Sequence, residues 1–137
     1  MNSTPIPAVV VIARVLLGLM FLLAGLSKFG NLQGTAGYIA SGGLPLGYPL
    51  AVLTAAIEVL GSIALIIGFQ ARYAALVLAL FTLAASVLFH NFWAVAADKQ
   101  YMQQLMFMKN LAVAGGLLFV FSFGAGPASV DARRASS

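Results

Sequence analysis

Glu58 is the only glutamate in the sequence, and no other charged residue stands between Lys28 and Arg72. Its surroundings, Ala56-Ile57-Glu58-Val59-Leu60, are apolar. Arg14 and Lys109 are set in similar apolar runs, with Asn110 directly after Lys109, while Lys28, His90 and Asn91 stand near the ends of such runs. A carboxylate among cations can relay protons, and a surplus of cations can hold an anion or polarise a carbonyl oxygen. His90 is the only histidine and has no second ligand at metal spacing, so no metal site is expected. The chain has no cysteine, which removes thiolate nucleophiles, disulfides and cysteine-held iron–sulfur clusters. No phosphate loop or dinucleotide-binding glycine pattern is present to name a reaction or a resident cofactor.

The elements that must position these residues follow from composition. Apolar residues make up 62% of the 137 and charged residues 7%, against roughly 25% charged in an average soluble domain. A chain of this length cannot bury so much apolar surface inside itself, so the excess must face lipid. The formal charge is +4, but seven basic residues scattered among apolar runs make no nucleic-acid stripe. Four stretches reach the roughly 20 apolar residues that a spanning helix needs: about 8–29, 49–69, 72–92 and 103–123. The first run has neither a basic leader nor a cleavage pattern, and is expected to be a retained helix rather than a signal peptide.

The expected architecture is therefore an all-α, antiparallel membrane four-helix bundle forming a single domain over 1–137. The glycine-rich stretch between the first two spans, with Leu32, Tyr38, Ile39 and Leu44, suggests a short interfacial helix capping the bundle mouth. Trp93 and Tyr101 suit interfacial anchors, and the tail 124–137 reads as flexible. Four spans bring both termini and Arg72, Arg133 and Arg134 to one side, opposite Lys28 and Lys99, so both termini are expected in the cytoplasm.

Each span carries one stripe of small or polar residues suited to close packing. They are Arg14-Gly18-Phe21-Gly25-Lys28, Thr54-Glu58-Gly61-Leu65, Ala75-Ala79-Thr82-Ser86-His90 and Lys109-Ala112-Gly116-Phe119. At a rise of about 1.5 Å per residue, Lys109 lies roughly 9 Å below the rim marked by Lys28 and His90, Glu58 roughly 13 Å and Arg14 roughly 20 Å. Glu58 is accordingly expected to bridge Lys109 above and Arg14 below. One carboxylate does not neutralise these cations, so that half of the interior should favour a quinone oxygen, a small oxyanion or a lipid phosphate. The same cluster could instead serve only to hold the helices in register.

The ordered set of residues resembles the DoxX family of small bacterial inner-membrane proteins. It comprises Arg14-Val-Leu-Leu-Gly18 through Gly25-Leu-Ser-Lys28, Gly43-Leu-Pro45, Glu58-Val-Leu-Gly61, Gly68-Phe-Gln-Ala-Arg72, Phe89-His90-Asn91-Phe92-Trp93 and Met108-Lys109-Asn110-Leu-Ala112. The resemblance covers about residues 8–123. It implies a four-helix fold, a bacterial cytoplasmic-membrane address and an oxidoreductase label, by analogy with a subunit of a thiosulfate–quinone oxidoreductase. A redox role would need a bound quinone or a soluble or membrane redox partner. The expected ligand-binding set is Arg14, Lys28, Glu58, His90, Lys109 and Asn110. Lys109 and Arg14 would stabilise negative charge, and Glu58 or His90 would relay protons. Two other readings are a non-enzymatic scaffold, anchoring a redox partner or assembling with itself, and a small permease.

Overall fold

A computed structural model describes residues 3–137; the first two positions of the domain expected over 1–137 lie outside the described residues. The described residues are helical: α1 (Pro7–Gly30), α2 (Leu32–Ser41), α3 (Gly47–Ile67), α4 (Ala71–Phe89), α5 (Ala97–Phe123) and α6 (Val130–Ala135), with a 3-10 turn at Phe92–Ala94. Four of these helices, α1, α3, α4 and α5, are long and apolar enough to cross a membrane. They alternate in direction, so one end of the bundle carries α2 and the other carries the C-terminal tail. The short interfacial helix expected between the first two spans is α2, started by Asn31, whose side chain accepts from the Gly34 N–H at 3.0 Å.

Local chemistry explains most helix ends. Pro7 opens α1, where its missing N–H is harmless. Gly68, at φ 73°, closes α3 in a Schellman arrangement. Its N–H donates to the Leu65 carbonyl (3.2 Å) and the Phe69 N–H to the Ala64 carbonyl (2.8 Å). The fifth helix starts at Ala97, earlier than the span expected from Gln103, because Gln100, Gln103 and Gln104 continue the helix beyond its apolar part.

The tail departs from the flexible segment expected. Ser129 caps α6 by accepting from the Ala132 N–H at 3.1 Å. Asp131 accepts from the Gln70 and Ala71 N–H groups at 2.7 and 2.9 Å, capping α4 from sixty residues away in sequence. Arg134 lies over the Phe69 ring, and Ser129 is buried. Arg72 donates to the Phe121 and Ser122 carbonyls at the C-terminus of α5. The residues after Gly124 thus form a hook across the end of the bundle.

Packing runs in pairs: α1 lies along α3, α4 along α5, and α3 against α4, while α1 and α5 meet only briefly. The buried faces of α1 (Arg14, Gly18, Phe21, Gly25) and α4 (Ala71, Ala75, Leu78, Ala79, Thr82, Ser86) match their expected stripes closely. Gly25 lets α1 close on α3, since a Cβ there would meet Val59 at 2.7 Å and both the Ala55 carbonyl and Glu58 Cβ at 3.0 Å. The α5 stripe is corrected. Its buried face is Asn110, Ala114 and Leu117, whereas Lys109, Ala112 and Phe119 are exposed. Small residues occur all round this helix (Ala112, Ala114, Gly115, Gly116), so size alone did not fix its rotation. The buried hydroxyls of the spanning helices bond within their own helices, not between helices: Thr82 to the Leu78 carbonyl (2.7 Å), Ser86 to the Thr82 carbonyl (2.8 Å) and Ser62 to the Val59 carbonyl (2.9 Å).

Candidate functional site

Where α1 and α5 part, a cavity of about 280 Å³ opens in the α2 half of the bundle. Nearer the tail end, Leu17 packs against Gly116 and brings α1 and α5 together. Above that contact, Met20, Ala24 and Lys28 of α1 face Lys109 and Asn110 of α5, with Glu58, Thr82 and His90 completing the polar part of the wall. Thr35, Tyr38 and Ile39 of α2 form the roof, where Tyr38 stacks on Phe89 at 5.1 Å between ring centroids. The structure therefore brings together Lys28, Glu58, His90, Lys109 and Asn110, five of the six residues expected at a site.

The partner of Glu58 is Lys28. The ammonium donates to both carboxylate oxygens, at 2.8 and 2.6 Å, and this is the one ion pair among the described residues. The expected bridge from Lys109 through Glu58 to Arg14 is absent, for a geometric reason. Side chains on a helix lean toward its N-terminus. Lys28, near the C-terminus of α1, leans back into the bundle, and Glu58 of the antiparallel α3 leans up to meet it. Arg14, on the same helix, leans the same way, which carries it away from Glu58 and beneath the hook, where Nη2 donates to the Ala128 carbonyl at 2.7 Å. It is 2% exposed, with Nε and Nη1 unpartnered, beside Gly68. Glu58 and Gly68 are about 15 Å apart along α3, so Arg14 takes no part in the cavity.

Lys109 stands on the exposed side of α5 and reaches the cavity at its open edge without an ion-pair partner among the described residues. Asn110, 7% exposed, lines the cavity, and its side-chain amide makes no hydrogen bond to the described residues. His90 Nδ1 pairs with Gln103 Oε1 at 2.9 Å. An amide oxygen only accepts, so with the amide in this orientation Nδ1 carries the hydrogen and Nε2 remains an acceptor. Trp93 is exposed at the same end and packs edge-on against Phe92 and Phe107.

The site thus offers a neutralised but buried ion pair, one further cation, an unused amide and a histidine acceptor. A carbonyl oxygen or an anion would satisfy the free donors. Sequence reasoning placed Tyr38 in the segment capping the bundle mouth without assigning it to the site, and it missed Thr35; the glycines bracketing an aromatic, partly apolar segment were the available signal.

A family model described as DoxX matches residues 9–91. Inner membrane protein YphA of Escherichia coli is 32% identical over 127 residues, covering 93% of this chain and 91% of that protein. Inner membrane protein YqjF of the same organism is 38% identical over 124 residues, covering 89% and 88%. A Bacillus subtilis protein named putative oxidoreductase CatD is 35% identical over 74 residues, 54% of each chain. No solved structure matches the chain.

Proposed function

The chain belongs to the DoxX family of membrane proteins, and from that premise we propose that it holds a quinone head group in the cavity between α1 and α5, as the membrane component of a redox system. The observation that carries this reading is Asn110: a residue 7% exposed whose amide has no partner among the described residues, lining a cavity edged by a lysine that likewise forms no ion pair with them. Such a group opens its donors and acceptor onto the cavity, where a ligand oxygen can take the place of water. The volume, about 280 Å³, sits at the low end of small-molecule pockets, which suits one ring rather than a large polar substrate. The oxidoreductase name of the Bacillus relative is in keeping with a redox role.

A bound quinone supplies two-electron, two-proton redox chemistry. The chain's own residues hold and orient it and manage its protons. Asn110 donates to one carbonyl oxygen, and Lys109 offsets negative charge at the open edge. Glu58, fixed by Lys28, and His90, fixed by Gln103, are the groups that exchange protons with the ring oxygens. The chain has no cysteine, so no thiol of its own supplies the electrons; we assign these to a separate redox protein, soluble or membrane-bound.

Protein purified in mild detergent should carry quinone into an organic extract above the level of a matched multi-pass membrane protein. Asn110→Leu and Lys109→Met should each lower the retained amount about tenfold, the equivalent of about 1.4 kcal/mol, and Glu58→Gln should lower it less. No quinone above the control in the unmodified protein would end this reading and favour a non-enzymatic anchor.

The bacterial inner membrane is the address supported by the two inner-membrane relatives and the four apolar helices. We assign both termini to the cytoplasm from Arg72, Arg133 and Arg134 at the tail end against Lys28 and Lys99 at the α2 end. Because the chain lacks cysteine, single introduced thiols report cleanly. In intact cells a membrane-impermeant maleimide should label Gly37→Cys and spare Ser137→Cys; the reverse pattern inverts the assignment.

A further inference from the structure

Beside the head-group cavity lies a second one of about 170 Å³, and the two share Ile39, Thr54, Phe81, Ala85 and Phe89 as common walls. The second continues away from α1 and α5, toward Leu44, Leu50, Ala84 and Leu88, so it runs beneath α2 to the lipid-facing side of α3 and α4. No charged residue lines it. Its one hydroxyl, that of Thr54, is already bonded to the Ala51 carbonyl at 3.1 Å. Ala84 and Leu88 are exposed at the outer end, where the groove meets lipid.

Resting on the quinone reading above, we propose that the ligand is a tailed amphiphile whose apolar chain leaves the cavity through this groove and not through the gap between α1 and α5. The two exits differ in chemistry. The gap is flanked by Lys28 and Lys109, and an apolar chain drawn between them would strip water from two cations, one of them without an ion-pair partner among the described residues. The groove offers aliphatic and aromatic walls and no polar group left to desolvate. The head-group cavity is too small to hold a long chain coiled within it. The ring then faces the donors of α5 while the chain fixes its entry angle, and hydrophilic quinones without a tail lose that alignment. Lipid is as apolar as these walls, so the groove selects by shape and direction more than by extra burial.

The test is photo-crosslinking of the full-length protein in lipid nanodiscs, using a benzoquinone with a diazirine at the end of a two-isoprenoid tail. Adducts are mapped by mass spectrometry. Labels concentrated on Leu44, Leu50, Ala84 and Leu88, and removed by excess tail-less benzoquinone, are the expected result. Ala84→Trp, which fills the outer groove from an exposed position, should weaken binding of the tailed probe at least tenfold and leave the tail-less probe unchanged. Ala84→Leu should give a smaller loss in the same direction. Competable labels on α1 and α5, with Ala84→Trp silent, would overturn the groove while leaving quinone binding intact. Labels spread over the lipid-facing surface that tail-less benzoquinone does not displace would mean ordinary lipid-like contact, and would overturn both.

Discussion

Lys28→Met should destabilise the protein by about 3–5 kcal/mol, well beyond the about 1 kcal/mol expected for Glu58→Gln, although both break the same ion pair. The two partners are buried to different degrees: the Lys28 side chain is 28% exposed and that of Glu58 only 6%. Without Glu58, the lysine stem can turn its ammonium toward the interface at the α2 end. A glutamine in place of Glu58 also keeps an oxygen for Lys28 to bond. Without Lys28, the carboxylate has nowhere to go. Glu58 is 4% exposed in the wall of the cavity, and Lys28 is its one hydrogen-bond donor among the described residues. Reversible unfolding in mixed micelles measures this directly, and the double variant Lys28→Met/Glu58→Gln should recover most of the loss. Equal losses for the two single variants, or no recovery in the double, would show that the pair is not the buried, coupled unit described here.

Gly68→Ala should be the second severe substitution, at about 3 kcal/mol or more, because two penalties fall together. The residue has φ 73°, a conformation that costs an L side chain roughly 1–2 kcal/mol. A Cβ would also run into Arg14 Nη1 and Ser129 Cβ, with Ala125 Cβ at 3.2 Å. Arg14 cannot yield, since its guanidinium is closed in by the hook and tied to the Ala128 carbonyl. The substitution should therefore loosen the hook itself and raise trypsin cleavage at Arg133 and Arg134. Gly43→Ala separates the two penalties. Its φ is 84°, but a Cβ there meets nothing within 4 Å, so it should cost only the backbone share. Similar stability for the two variants would mean that the Arg14–Ser129 packing is unimportant.

These substitutions bracket the two polar features of the interior, which lie at opposite ends. At the α2 end, the Lys28–Glu58 pair, Lys109, Asn110 and His90 surround open space suited to a ligand. At the tail end, Arg14 is enclosed by Gly68, Ala128 and Ser129, and the C-terminal hook supplies its one side-chain hydrogen bond among the described residues. The intramembrane charges thus divide into a candidate binding site and a structural anchor for the chain terminus.

The sequence by itself determined the features that depend on neighbours a few residues apart. Apolar runs of spanning length required four membrane helices, and Gly68 and Gly124 ended two of them. The stripes of α1 and α4 picked out the buried faces because each joins small residues to polar ones that suit lipid poorly, Arg14 with Gly18 and Gly25 in α1 and Thr82 and Ser86 with Ala75 and Ala79 in α4. Tertiary structure decided what depends on how separate helices slide and turn against one another. It set α5 with Asn110 inward and Lys109 outward, a rotation that evenly spread alanines and glycines left undetermined. It matched Lys28, not Lys109 or Arg14, to Glu58, because the lean of each side chain toward its own helix N-terminus brings only that cation and carboxylate together across α1 and α3. It also fastened the tail through Asp131 to the start of α4, a hydrogen-bonding need met by a residue far away in the chain, which no local periodicity records.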